Sequence, residues 1–414
     1  MKDLFREKKN VVRLILFLLA VILAVGAFTA GVTGYLHRDS GYYDVDYSAK
    51  TATMLFDSGV HLKYYVSGSS AQIRAELHEV QEVYSDTLLW LYQQLDAEHQ
   101  YEGVVGLAAL NAAPGEWVKV DAVLETALGD ALTRTQAGEG YSVFAGPLYR
   151  EWQTLRYLEE PENADPVNNP EERAILEQLA AFIGDPSSFS LEIEEGRARL
   201  TVSEAYQAWA RENEIDAPVL DFGLLRDAYL LDRLAQYMRY RGYTSGYLYT
   251  DSGLSLQMAL DGDTSYQLLG LKDGEAAAVG AVTLPSPSAF CQFTAFSLTG
   301  EKYGYYTLKQ GGVTLYRHPW IDLQTGGVRQ VLLTAVLGGK MTALTDLAYD
   351  MIRLNECADQ AEVNALLEGL PADVFASYTL QNDPTPTLYV RNGNGAAFEE
   401  QAESGFRTQN LTDR

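Results

Sequence analysis

Basic side chains are scarce in this chain: 31 Lys and Arg stand against 56 Asp and Glu among 414 residues, a formal net charge of −25. Such a surface repels phosphate backbones, which argues against nucleic acid as a partner. An anionic small molecule needs a metal ion or backbone amides to offset that field. Cysteine is scarcer still. Cys291 and Cys357 have no metal-like spacing, and one possible bridge makes no disulfide framework. Internal repeats and heptad runs are also missing, so nothing suggests a solenoid or a coiled coil.

What the chain has in quantity is apolar and aromatic residue, 47% and 11%, ample for a core in one large or two fused domains. Leu14 to Leu36 carries no charge over 23 residues, enough to cross a hydrocarbon core as a helix. Lys8, Lys9 and Arg13 precede it and acidic residues follow, so residues 1–13 read as cytoplasmic and the rest as extracytoplasmic. A cleaved signal peptide is the rival reading, because Val25-Gly26-Ala27 resembles a cleavage site. No cysteine follows for lipid attachment.

Residues 37–53 read as a polar, Tyr-rich spacer and Met54–Val66 as a strand. Ile73, Leu77, Val80, Val83, Leu88 and Leu91 fall at helical spacing and predict a helix over Ser70–Leu95. Further helices are expected at Asp121–Thr135, Tyr149–Glu159, Glu171–Phe182, Asp221–Arg241, Thr342–Leu354 and Asp359–Leu367. Pro161–Pro170 reads as an exposed loop and Leu191–Val202 as a hairpin turning at Glu195-Gly196. Gly246–Gln257 reads as a strand, Thr264–Leu315 as short strands, and Ala376–Leu380 with Thr387–Arg391 as a final pair. Without regular βαβ alternation, the class is α+β.

Several segments carry possible chemistry. Between Tyr101 and Trp152, two glycine-punctuated loops flank one helix, and Asn111 and Gly146-Pro147 sit where backbone and amide groups can approach a ligand. Asp221 and Gly223 precede the next helix, which either aims backbone N–H groups at an anion or is merely capped by Asp221. His318 and Asp322 fall on a strand and the following turn. Asp346 and Asp350 stand i and i+4 on one helix face. They either share a cation such as Mg²⁺ or form a solvated acidic face.

In this order the segments resemble the ApbE family of FAD:protein FMN transferases. FDSGVHLKYYV is similar to the family's opening strand, with Ser58 where a Thr is usual. YEGVVGLAALNAAPGEWVKVD resembles the loop ending in Leu-Asn, at Asn111. AGEGYSVFAGPLYREW is similar to the Gly-Pro-Leu-x-x-x-Trp turn, at Gly146, Pro147, Leu148 and Trp152. VLDFGLLRDAYLLDRL resembles the Leu-Asp-x-Gly-Gly-x-Ala-Lys-Gly-Tyr segment, at Leu220, Asp221, Gly223 and Tyr229. YRHPWID resembles the His-Ile-Ile-Asp-Pro run, TDLAYD the Ala-Asp-Ala-Leu-Ser-Thr metal segment, and SGF the closing motif.

The resemblance implies a flavin-transferase-like domain over residues 54–406, with a polar tail at 407–414. It implies FAD as substrate, Mg²⁺ as cofactor and an acceptor flavoprotein modified on a Thr. Ser58, Asn111, Gly146, Asp221, Gly223 and Tyr229 would meet the flavin. His318 and Asp346 would be catalytic, and Asp346 with Asp350 would hold the metal. The chain also departs from the family pattern. Leu224 replaces a glycine, Asp227 a lysine, Gly304 an arginine, Leu323 a proline and Asp350 a threonine. Those departures imply an alternative: an inactive fold kept as a binding or scaffold module.

Overall fold

The computed structural model describes residues 39–258, 262–298, 304–340 and 342–411. The expected anchor, Leu14–Leu36, lies outside them. No helix among the described residues is long and apolar enough to cross a membrane. Nine strands make the central sheet: β1 (Gly41–Val45), β2 (Val60–Val66), β3 (Gly246–Thr250), β4 (Leu254–Gln257), β5 (Ser288–Thr294), β6 (Leu332–Lys340), β7 (Phe375–Leu380), β8 (Thr387–Arg391) and β9 (Arg407–Asn410). Their order across the sheet is their order along the chain. Neighbours are antiparallel except β8 and β9, which run parallel.

The long excursion between β2 and β3 carries α1 (Ser70–Leu95), α2 (Leu107–Ala112), α3 (Ala122–Ala137), α4 (Gly146–Arg156), α5 (Pro170–Gly184) and α6 (Arg226–Tyr240). Between β6 and β7 lie α7 (Leu344–Glu356) and α8 (Gln360–Gly369). Helix α1 starts where the sequence predicts, because Ser69 and Gln72 form a reciprocal capping box. Its buried stripe of Ile73, Val80, Leu88, Leu91 and Leu95 faces the core. It stops at Asp96, whose carboxylate accepts from the backbone N–H groups of Glu98 and His99 and so bends the chain away.

The sheet is covered on both faces. Along β6, Ala335 and Leu337 enter the main core with the helices, while Val336 points the other way. There it meets Leu268, Val279, Val282 and Leu284 of the hairpin Thr264–Lys272/Glu275–Leu284. Gly338 lets that hairpin close in, since a Cβ there would stand 2.6 Å from Leu284 Cδ1. The class is therefore α+β with a largely antiparallel sheet, as expected.

Several boundaries differ from the sequence reading. The supposed spacer contributes β1, with Tyr42 opposite Tyr65, and the supposed tail contributes β9 on β8. Met54 lies in a helical turn, Ala52–Leu55, and the strand starts only at Val60. The stretch Gly246–Gln257 folds as the β3–β4 hairpin, turning at Gly253 with φ +90°. Pro161–Pro170 is not wholly exposed: Asp165 is fully buried against Arg317, 2.6 Å away, and accepts from the Tyr306 hydroxyl at 2.8 Å.

Candidate functional site

Asn111, Gly146, Asp221 and Gly223 do come together, around the segment leading into α6. Asn111 acts on backbone: its Nδ2 donates to the Leu220 and Ala97 carbonyls at 2.9 and 3.1 Å, and its Oδ1 accepts from Leu220 N–H at 2.8 Å. Gly146 allows close passage of the same segment, since a Cβ would stand 2.1 Å from the Pro218 carbonyl oxygen. Asp221 Oδ1 accepts from Gly223 N–H at 2.7 Å, and Gly223 takes φ +52° with the Tyr149 ring against it. Burial raises the Asp221 carboxyl above its usual range, with the Gly223 bond and Arg226 opposing. The four residues stitch the segment into place.

The N-terminus of α6 brings the next layer. Arg226 pairs with Asp227 at 3.2 Å and lies over the Tyr92 ring, 5.7 Å from its centroid. Asp227 also accepts from the Ser252 hydroxyl at 2.8 Å. The position expected to lack a cation therefore has one immediately beside it. Ser252 lines a cavity of about 190 Å³ with Phe293, Thr294, Tyr305 and Trp320. Ser297, Leu298 and Tyr305 continue it into a larger cavity of about 520 Å³ that also takes in Phe296 and Tyr306. Phe293 and Trp320 meet edge to face at 5.4 Å. Sequence reasoning passed over Arg226, Ser252 and these aromatics; Trp320, two residues from His318, was the available signal.

His318 lines neither cavity. It is 2% exposed and lies behind Phe293 with ring centroids 5.0 Å apart. Burial, then the charges of Arg156 and Arg317, push it down to about 3, with the Arg329 backbone opposing. It is neutral at ordinary pH and separated from the cavity by a ring, which does not suit a catalytic acid. Ser58 is likewise engaged internally, its Oγ 2.8 Å from the Tyr47 hydroxyl. Where family members carry an arginine, Gly304 instead accepts from the buried Arg156 at 2.8 Å.

Asp322 is buried and bonded to Arg329 at 2.9 Å and to the Thr325 hydroxyl at 2.6 Å. Glu356 lies against it. Burial, then Asp322, lifts Glu356 to about 9, with Arg329 opposing. A proton held on Glu356 relieves the repulsion between two carboxyls placed side by side.

The expected Mg²⁺ ligands hold arginines. Asp346 Oδ1 accepts from Arg134 Nη2 at 2.8 Å, and Arg134 Nε donates to Asp130 at 2.8 Å. Tyr229 donates to the same Asp130 oxygen. Asp350 pairs with Arg353 at 2.9 Å, and Arg353 with Glu139 at 2.9 Å. Asp346 and Asp350 share a helix face, yet each is drawn to a different guanidinium. Among the described residues, no three His, Cys, Asp or Glu side chains are disposed to hold a metal ion. These residues do not fit Mg²⁺, which wants a near-octahedral oxygen shell at roughly 2.0–2.1 Å.

No protein-family model matches the sequence, and no curated protein does. Solved structures do. The ApbE protein of Thermotoga maritima aligns at TM-score 0.57 and 14% identity over 87% of this chain and 97% of its own. The chain has the fold of the ApbE flavin transferases. The flavin transferase ApbE of Vibrio cholerae aligns at TM-score 0.51 and 13% identity, over 88% and 97% of the two chains. The Pseudomonas stutzeri flavinyl transferase ApbE, in its apo form, gives 0.50 and 12% over 88% and 95%. At these identities the likeness fixes the ApbE fold and leaves the side-chain chemistry to be argued from this chain.

Proposed function

We propose that this chain handles flavin, taking FAD into the cleft beside the α6 N-terminus and passing FMN to a threonine of an extracytoplasmic acceptor protein. The threonine oxygen would bond to the FMN phosphorus as the diphosphate P–O bond breaks, and AMP would leave. The aromatic cavity carries this reading. Tyr305 and Trp320 offer ring surfaces suited to a flat heteroaromatic ligand, with the buried Phe293 packed edge to face behind Trp320. Arg226 supplies a cation near the cavity rim, where Ser252 links Asp227 to the wall. The fold shared with flavin transferases points the same way.

A second reading, binding or scaffolding without turnover, draws on different observations. Leu224 fills the place of a backbone-exposing glycine, Asp227 neutralises Arg226, and arginines occupy the carboxylates of α7. One experiment separates the readings. The full chain, purified in detergent and incubated with FAD, should retain flavin absorbance through gel filtration. Trp320→Ala should weaken that binding roughly tenfold or more, because stacking on one aromatic is worth about 1–3 kcal/mol. No retained flavin at high micromolar FAD rejects both flavin readings. Retention without a covalently fluorescent acceptor in membranes selects the second.

A further inference from the structure

The junction of α3, α6 and α7 contains an arrangement that the flavin reading does not need. Four carboxylates, Asp130, Glu139, Asp346 and Asp350, meet two guanidiniums, Arg134 and Arg353. Arg134 is the better enclosed of the two, its side chain 13% exposed against 29% for Arg353. Its own helix holds it, because Asp130 and Arg134 are i and i+4. The neighbouring helix holds it a second time through Asp346. Its guanidinium also lies over the Tyr349 ring, 4.8 Å from the centroid. Tyr229 closes the other side of Asp130.

We propose that Arg134 is the resident cation of this junction, occupying the place of a divalent metal, so that the protein binds no Mg²⁺ there and removing the guanidinium opens a metal site. The argument is geometric. A metal bridging Asp130 and Asp346 would have to fill the space the guanidinium now fills. It would break two charge-assisted hydrogen bonds and leave a largely enclosed positive charge without partners. Asp350 does not supply the missing ligand, since Arg353 binds it and is anchored in turn by Glu139. The charge of Arg134 is raised in stability, because Asp130 and Asp346 outweigh the burial that opposes it. Arginine does not lose its proton at any working pH, so the charge is permanent, unlike a metal that exchanges.

The inference concerns metal alone and is independent of whether flavin binds. Mn²⁺ is the probe, followed by the loss of its free electron-spin signal on titration into the full chain in detergent. The wild-type protein and Asp346→Asn should show the same weak uptake, with no site tighter than on the order of 1 mM. Arg134→Gln should gain one site per chain, at least roughly tenfold tighter, equivalent to about 1.4 kcal/mol. Arg134→Gln combined with Asp346→Asn should lose that gain, and Arg134→Lys should never acquire it. Stoichiometric Mn²⁺ uptake by the wild-type chain that Asp346→Asn abolishes would overturn the proposal. So would an Arg134→Gln protein that keeps native circular dichroism and binds no more Mn²⁺ than wild type. Should Arg134→Gln fail to fold, the wild-type and Asp346→Asn comparison decides the matter unaided.

Discussion

At the scale of the residue, Glu356 shows how far surroundings can move a single carboxyl. Its ordinary value is 4.5 and its folded value about 9, raised first by burial and then by Asp322. Between those values the unfolded chain releases a proton that the folded chain keeps. Stability from this group is therefore fully present below about pH 4.5 and declines as pH rises toward 9. Glu356→Gln keeps a donor toward Asp322 without the titration. Urea unfolding should show it more stable than wild type at pH 8, by on the order of 5 kcal/mol, and equal near pH 4. A mutant that follows the wild-type pH dependence would mean that Glu356 is already ionised in the fold. Asn111 teaches the complementary lesson. Its position was legible from its glycine-rich setting, but its partner, the Leu220 backbone, lies 109 residues away. A residue type announces that it can hydrogen-bond, and only the fold says to what. Arg226 is hidden for a simpler reason: the family pattern places a cation at position 227, which is Asp227 here, and the cation stands one position earlier.

At the scale of the element, legibility followed local signals. Helix α1 could be read almost to the residue, because Ser69, Gln72 and the apolar stripe all act within a few turns. Strand β6 could not. LLTAVLGGK is apolar apart from Thr334 and the terminal Lys340 and carries two glycines, so it has neither strand alternation nor helical period; up to Gly339 it is buried on both faces. The Pro161–Pro170 stretch misled in the opposite direction. Its composition is that of a surface loop, yet Asp165 is carried inward to Arg317 at the end of the Val313–Arg317 strand. The pair and the Tyr306 hydroxyl pin the loop beside the larger aromatic cavity. Asp165→Ala leaves Arg317 buried and uncompensated, and should cost about 3–5 kcal/mol in chemical denaturation. A loss below about 1 kcal/mol would place the pair among solvent-screened contacts of little weight.

At the scale of the whole molecule, the α+β class was accessible from the mixture of helical and strand blocks, while the joining of distant segments was not. Asp346 looked like half of an acidic pair because its neighbour in sequence is Asp350; its partner Arg134 lies 212 residues earlier. Membrane attachment belongs to this scale too. We propose that Leu14–Leu36 tethers the folded part outside the cytoplasmic membrane, on the strength of its uncharged length and basic flank. Protease added to intact cells should digest the folded part once it is destabilised. Complete protection under conditions that digest a known external protein would reject this topology.

The sheet's regular order has a mechanical corollary. Because the strands are laid down in chain order, the first and last occupy opposite edges, eight inter-strand steps apart at roughly 4.8 Å each. A tension applied between the two ends runs across the strands rather than along them. It loads the hydrogen bonds of one edge at a time, as in opening a zip, instead of shearing a whole row together. The parallel β9 rim, held to β8 over only four residue pairs, is the place where such peeling would begin.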